Sequence, residues 1–364
     1  MSSARRTRVL LALVLALLVA AAAAASPEVG LLRTKPTAAK RACSQLFGSF
    51  GVGRWPPACW RPYGSRSPFN VRIPSSPRIS PESSAIVSYA VSHHWAFNPD
   101  RHGRFTIGAG GSRPVYWSGR GDPLVSVTCQ GGHSCQRGMR VHIPQGARPA
   151  DQGDAHMTVI DQAAGREYDF WKASTPEHGS MTVSSGNGIR IGAGIGTGLG
   201  GVAEAANLGL AGGLIRAPEL MAGVINHALA ITAECVQRQD VWPSPVDGKG
   251  DSMCPAGGAG PHFANLLQLN MSDAEIAATH APRWQRAVMR AMAHYGMYVV
   301  DTNSPGNPEL SVIMEDDLSF TSFGRTGAMG SFVRSAGGTD GVVGVPIDVS
   351  RLRVIAPCVP RRAC

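Results

Sequence analysis

The chain has 364 residues, eight cysteines and a formal net charge of +9 at pH 7. This length is enough for one large domain or two ordinary ones. The basic surplus suits an acidic polysaccharide or an anionic envelope as a partner, or indicates no specific partner. Nucleic acid is a poor candidate, because no basic run is interleaved with aromatic residues and no nucleic-acid-binding module is recognisable.

The N-terminus predicts a secretory signal peptide over residues 1–25. Three arginines precede an apolar stretch at residues 9–20, and an alanine run with A-x-A sequences follows. This order is typical of a cleaved export signal, although an uncleaved membrane anchor is the alternative. Cleavage near Ala25 leaves 339 residues (364 minus 25) and a net charge of +6 (9 minus 3). We therefore expect a secreted, extracellular monomer that does not contact the membrane after cleavage.

The cysteines predict disulfide bonds, because all eight follow the signal and an exported chain meets oxidising conditions. Eight cysteines allow about a hundred connectivities, which sequence cannot rank. The simplest scheme joins neighbours along the chain: Cys43 with Cys59, Cys129 with Cys135, Cys235 with Cys254, and Cys358 with Cys364. A zinc site is the rival interpretation, and the absence of a C-x-x-C motif disfavours it.

Pattern and composition predict a mainly β fold. Residues 26–66 have the Pro, Arg, Gly and Ser content of a linker or a disulfide-pinned arm, so a single domain over 67–364 is expected. A helix should begin at Ser80 and Pro81. Short alternating runs follow, at the spacing typical of a β-sandwich or barrel: RFTIG, PVYW, LVSVTC, MRVHIP, HMTVID, EYDFW and IRIG.

The second half of the chain predicts a glycine-rich loop and a few helices. The glycines at 191–213 should let chain segments approach closely. One helix should run from Pro218 through PELMAGVINHALAI, and another from Pro282 to a C-terminal cap at Gly296. Ser272 and Glu275 have capping-box spacing. The segment YGMYVVDT is typical of a buried strand.

The runs HMTVID and REYDFW predict a hairpin closed by the loop QAAG. A four-residue loop pairs Asp161 with Arg166, while a bulge at Gly165 would shift the register by one residue. One face then carries apolar side chains: Met157, Val159, Tyr168 and Phe170. The other carries His156, Thr158, Glu167, Asp169 and Trp171. We expect the second face to be solvated or to line a cleft, because burying its charges would cost several kcal/mol.

Further candidates for a site lie outside the hairpin. His227 and Glu219 need not point together, because Gly223 should break the helix between them. Asp301 follows an apolar strand, where either a site acid or a turn acid is common. Trp171 suggests a platform for stacking a sugar ring, with a tryptophan covered by a loop as the alternative.

The motifs together resemble a family of secreted, mainly actinobacterial proteins that is largely uncharacterised. The similarity covers about residues 67–330 and depends on SPFN, IPQGARPADQGDAHMTVID, REYDFW, GLIRAPELMAGVINHALAI, VWP and YGMYVVDT in this order. It implies a concanavalin A-like or jelly-roll β-sandwich, but no reaction. At Asp169 the family usually has glutamate. A structural calcium ion is the one metal that the resemblance leaves open, and no other cofactor is expected.

Three functions remain open, of which a glycoside hydrolase is favoured. Its catalytic residues would come from Asp154, His156, Asp169 and His227, with Trp171, Arg216, Glu219 and Asp301 binding the substrate; Glu219 or Asp301 could also supply the second carboxyl that hydrolysis needs. A polysaccharide lyase would use His156 or His227, Tyr168 and Arg216. A non-catalytic carbohydrate-binding or envelope protein is the third. The partner expected in each case is an extracellular polysaccharide or cell-wall glycan.

Overall fold

The computed structural model describes residues 50–51, 56–93, 103–106, 113–131, 135–150, 153–197, 202–237, 239–245, 254–255, 257–303, 311–313 and 342–364. All of them belong to one compact unit, Ala42–Cys364. The predicted signal peptide and Cys43 lie outside the described residues. Within the described segments, no helix combines the length and apolar character that a membrane crossing requires.

The prediction of a mainly β fold is confirmed. The described strands are β1 (Gly103–Thr106), β2 (Val115–Ser118), β3 (Leu124–Cys129), β4 (Met139–His142), β5 (Met157–Asp161), β6 (Arg166–Trp171), β7 (Ser180–Val183), β8 (Ser185–Arg190), β9 (Leu229–Ala233), β10 (Leu266–Leu269), β11 (Met297–Thr302), β12 (Ser311–Ile313), β13 (Val342–Val345) and β14 (Leu352–Ile355). The helices are α1 (Ser83–Ser92), α2 (Ala217–Ala222), α3 (Asp273–Ala278) and α4 (Arg283–His294), with short 3-10 helices η1 (Pro68–Asn70), η2 (Leu210–Gly212) and η3 (Val349–Arg351).

These strands form three mixed sheets. The seven-stranded sheet has the order β13-β1-β12-β9-β11-β10-β14, the four-stranded sheet β2-β5-β6-β8 and the three-stranded sheet β4-β3-β7. Each sheet contains parallel neighbours. They are β1 with β12 and β9 with β11 in the seven-stranded sheet, β2 with β5 in the four-stranded sheet, and β3 with β7 in the three-stranded sheet. Each of the seven runs predicted as strands from alternation overlaps one of these strands, although IRIG shares only Ile189 and Arg190 with β8.

Side chains alternate between the two faces of a strand, so the two faces of a sheet pack in different core clusters. In β11, Met297 and Val299 pack with the helices, whereas Tyr298 and Val300 face a second cluster that includes Trp117 and Ile160 of the four-stranded sheet. The opposite face of the four-stranded sheet packs on the three-stranded sheet. The four-stranded sheet is therefore covered on both faces.

The helix predictions are confirmed in part. Ser272 and Glu275 form the capping box of α3, and Gly296 follows α4 with a φ of 81°. The first helix begins later than predicted, at Ser83, because the Ser80 carbonyl accepts the Ser83 N–H in a turn. The prediction of helix through PELMAGVINHALAI is wrong beyond Gly223, and the break predicted at this glycine is confirmed. That glycine ends α2 in the left-handed region, and LAITA becomes the buried strand β9.

Part of the predicted linker or disulfide-pinned arm, within the described residues 56–66, packs in the core. Trp60 and Tyr63 are buried in the second cluster. The predicted close approach of the glycine-rich stretch occurs at Tyr63, because a Cβ on Gly209 would lie 1.9 Å from the Tyr63 hydroxyl and one on Gly212 would lie 2.5 Å from its ring.

Three of the four predicted disulfides are confirmed. Cys129 is bonded to Cys135, Cys235 to Cys254, and Cys358 to Cys364. Cys59 is also disulfide-bonded. No cysteine in the described segments is free.

Candidate functional site

The predicted hairpin forms with the predicted register. Asp161 pairs with Arg166, Val159 with Tyr168 and Thr158 with Asp169, so the loop of residues 162–165 closes the hairpin without a slip. The predicted apolar face is confirmed as well, because its side chains pack between the four-stranded and three-stranded sheets.

The expectation that the polar face is solvated or lines a cleft is wrong. Thr158, Glu167 and Asp169 are 2 %, 0 % and 0 % exposed, and His156 is 4 % exposed. Alternation shows which side chains share a face, but the packing partners of that face come from Tyr63, η2 and residues 202–208. Only Trp171, at the end of β6, stays partly exposed.

Glu167 and Asp169 form a first buried carboxyl pair. Their carboxyl groups are hydrogen-bonded to each other. Glu167 also accepts the hydroxyl of Tyr63 and the N–H of Ala211, the latter at 2.7 Å. Burial raises the pKa of Glu167 well above its usual value, and the negative charge of Asp169 raises it further. We infer that Glu167 holds the shared proton, so that the face avoids two buried charges.

Backbone and hydroxyl donors complete the surroundings of Asp169. Thr158 Oγ1 donates to Asp169 Oδ1 at 2.7 Å, and the Leu210 N–H donates to Oδ2 at 3.2 Å. Burial raises the pKa of Asp169 to about 6, against the opposing effect of these donors. Asp169 also lies within electrostatic reach of Glu204, which leads to a second carboxyl pair.

The second pair is Glu204 with Asp301. Asp301 is hydrogen-bonded to Glu204 through their side chains. Arg113 binds the same Glu204 carboxylate from Nε at 2.8 Å and from Nη2 at 3.3 Å. Burial acts to raise the pKa of Glu204, but the charge of Arg113 and that of His156 outweigh it, and the pKa lies below its usual value.

Asp301 is the partly exposed member of this pair. Burial under its neighbours raises its pKa to about 7, and the charge of Glu204 contributes. Strict alternation would put Asp301 on the helix side with Val299, but the register between β11 and β9 shifts between these two residues. Such a bulge redirects a side chain, and here Asp301 reaches Glu204 and the Ala205 N–H.

His156 connects the second pair with the protein surface. Its Nδ1 lies 3.7 Å from Glu204 Oε1 and has no hydrogen-bond partner among the described residues. Burial lowers the pKa of His156 to about 4, and Arg113 contributes, while Glu204 and Asp154 oppose this shift. Asp154 is exposed and accepts a hydrogen bond of 3.0 Å from Trp171 Nε1. A continuous path of interactions therefore runs from Trp171 to Asp301.

Arg216, Glu219 and His227 form a separate buried group. Glu219 accepts hydrogen bonds from Arg216 Nη2 at 2.6 Å and from His227 Nε2 at 3.0 Å. Arg216 Nη2 also donates to the Trp60 carbonyl at 2.9 Å. Because the helix ends at Gly223, the chain turns back and His227 contacts Glu219. The sequence alone did not predict this contact. Because its polar atoms are used to hold the segment around Trp60, this group stabilises the fold.

The predicted site residues therefore divide into two sets. The path of interactions includes four of them, Asp154, His156, Trp171 and Asp301, and a fifth, Asp169, is buried within electrostatic reach of Glu204. The other three, Arg216, Glu219 and His227, are held in the buried group. Arg113 and Glu204 were missed, because each lies outside the regular alternating runs and gives no sequence signal of a site. We call Asp154, His156, Trp171, Arg113, Glu204 and Asp301 the candidate site.

In the part of the chain that the structure describes, no three histidine, cysteine or acidic side chains are grouped to share a metal ion. Comparisons with protein-family models, curated proteins and solved structures found no match. The resemblance to secreted actinobacterial proteins therefore stays a prediction.

Proposed function

We propose that the protein is a carbohydrate-cleaving hydrolase in which Asp301 acts as general acid. The observation that carries this proposal is the Asp301–Glu204 pair. The two carboxyl groups are hydrogen-bonded, yet the pKa of Asp301 is raised to about 7 and that of Glu204 is lowered. Two carboxyls whose pKa values are driven apart are suited to separate acid and base roles. Asp301 would hold a proton near neutral pH and deliver it to a leaving group.

Hydrolysis of a glycosidic bond also needs a second carboxylate, as base or nucleophile. Asp154 suits this role because it is exposed and lies beside His156, which faces Glu204. The Nε1–H of Trp171 holds one oxygen of Asp154 at 3.0 Å, which limits its rotation. Asp169 is fully buried, so we assign it a part in the electrostatics beneath the site rather than contact with substrate.

Trp171 supports a carbohydrate as the substrate. Its indole is partly exposed next to Asp154, and an aromatic face with a polar edge suits a sugar ring. We propose an extracellular polysaccharide or cell-wall glycan, acted on after secretion by a monomer. The signal-like N-terminus and the disulfides support secretion.

The finer fold assignment, a concanavalin A-like jelly roll, is kept as a proposal. Support comes from the four-stranded sheet, whose two faces pack in different core clusters. The parallel pairs, such as β2 with β5, depart from the antiparallel pairing of a jelly roll.

The two alternatives have unequal support. A non-catalytic carbohydrate-binding protein is favoured by the exposed Asp154 and partly exposed Trp171, which would bind sugar without any proton transfer. A lyase has less support, because His227 and Arg216 are buried against Glu219 and Tyr168 packs in the core.

The test is Asp301→Asn in the purified mature chain, assayed on a panel of polysaccharides by reducing ends and mass spectrometry. We expect the variant to lose at least about 100-fold in rate, because general acid catalysis contributes on that scale. Exposed Glu177→Gln is the control and should keep the native rate. Full activity of Asp301→Asn would refute the assignment. Glycan binding by the native chain without any product would favour the binding protein.

A further inference from the structure

A groove outside the candidate site lies beside the segment that follows η1 and the ends of β10, β14 and α4. Its volume is about 580 Å³, within the size range of sites for small ligands. Six charged or titratable side chains line it: Arg72, Asp273, Glu275, His294, Arg351 and Arg353. The proposed reaction does not involve these side chains.

Both acids of the groove are already paired. Glu275 Oε1 accepts a hydrogen bond of 2.7 Å from Arg351 Nη2. Asp273 Oδ1 lies 3.3 Å from Nε of Arg290, which is outside the groove lining, and 3.0 Å from His294 Nε2. In the described chain, Arg72 and Arg353 have no carboxylate partner, so the groove has a surplus of positive charge.

Arg353 is held in a defined orientation. Its Nε donates to Gln268 Oε1 at 2.8 Å, and the Nε2 of Gln268 donates to the Ala293 carbonyl at 2.6 Å. Gln268 is only 5 % exposed, so this anchor is rigid. The terminal nitrogens of Arg353 bond to no acceptor in the described segments, and Arg353 is one of the residues that line the groove. Burial lowers the pKa of Arg353, as expected for a partly desolvated cation without an anion beside it.

Arg72 is the second cation, and the imidazole of His294 positions it. The Arg72 guanidinium contacts Nδ1 of His294, and it lies 5.7 Å from the centroid of the Tyr295 ring. If Nε2 of His294 donates to Asp273, its Nδ1 is left as an acceptor for Arg72. Arg72 is exposed, so its remaining donors are open to a ligand.

We propose that this groove binds the oxyanion groups of an acidic polysaccharide, with Arg72 and Arg353 as the two anion-binding residues. A guanidinium presents parallel N–H donors that match a carboxylate or a sulfate. Both groups occur on polysaccharides, so the shared chemistry is an oxyanion carried by a sugar chain. This binding does not depend on cleavage at Asp301, and the Asp301→Asn variant should retain it.

Titration calorimetry on the full mature chain tests the proposal with polygalacturonate (carboxylate), dextran sulfate (sulfate) and neutral dextran. We expect binding to at least one acidic polymer, weakening as salt is raised, and no comparable binding to dextran. Arg72→Gln and Arg353→Gln should each weaken binding about tenfold, the usual scale for a charged hydrogen bond. The polymer that binds identifies carboxylate or sulfate as the group recognised.

Exposed Arg140→Gln on β4 is the matched control for loss of one positive charge, and it should bind as the native chain does. Arg72→Gln keeps the test valid if Arg353→Gln does not fold. The proposal is overturned if neither acidic polymer binds, if dextran binds equally well, or if Arg72→Gln and Arg140→Gln weaken binding to the same extent.

Discussion

The side chain of Asp301 is hydrogen-bonded to the carboxylate of Glu204. These residues are far apart in the chain, and the contact depends on the register shift in β11 that redirects Asp301. Arg113 keeps Glu204 charged from the other side. The proton of the pair therefore belongs to Asp301, the member that is partly open to solvent.

The raised pKa of Asp301 predicts a pH-dependent stability. Its pKa in the fold is about 7, against a usual value of 3.8. Between these values the folded state keeps a proton that the unfolded chain has lost, so the free energy of unfolding falls as pH rises from about 4 to about 7 and then levels off. Asp301→Asn resembles the protonated form and should lack this fall.

Urea unfolding of both proteins at several pH values between 4 and 8 measures the effect. The free energy of unfolding of the native chain, relative to that of the variant, should fall by on the order of 4 kcal/mol across this window, because the pKa differs by about 3 units between the folded and unfolded states. His156 and Asp169 titrate in both proteins, so their effects largely cancel in the difference. Parallel stability curves would show that Asp301 is not perturbed in the fold.

Tyr63→Phe should destabilise the protein by about 1–3 kcal/mol, because it leaves the buried Glu167 without its hydroxyl donor. Tyr116→Phe is the matched control. The Tyr116 hydroxyl donates to the Arg148 carbonyl at 2.9 Å and accepts the Arg148 N–H at 3.1 Å, so its partners are neutral backbone groups rather than a buried carboxyl. Chemical denaturation of both variants compares the two losses. An equal or larger loss for Tyr116→Phe would contradict the importance of the Tyr63–Glu167 contact.

Glu219→Gln should cost about 3 kcal/mol of stability, because Arg216 and His227 would then be buried without their anionic partner. The exposed pair of Glu275 with Arg351 is the control, and Glu275→Gln should cost clearly less stability than Glu219→Gln, because water screens an exposed ion pair. Thermal unfolding measures both. Any hydrolytic activity of folded Glu219→Gln should match the native rate. A loss of activity without a loss of stability would instead show that Glu219 takes part in the reaction.

Local features of the fold were predictable where a pattern repeats over several residues. The alternation in HMTVID and REYDFW with a four-residue loop predicted the pairing of Thr158 with Asp169, which the structure confirms. The helix ends at Ser272 and Gly296 were also predictable, because a capping residue is recognised from its near neighbours alone. The first three residues of β9, Leu229 to Ile231, were predicted as helix, because a short apolar run fits either a buried helix or a buried strand.

The sequence by itself determined which side chains of the hairpin share a face, because side chains alternate strictly along a strand. It also predicted the neighbour pairing of the cysteines, three pairs of which the structure shows. Only the tertiary structure decided that Glu167 and Asp169 are buried and that Arg113, Glu204 and Asp301 meet. Such contacts join segments whose order in space depends on the packing of whole sheets, and no local pattern records that packing.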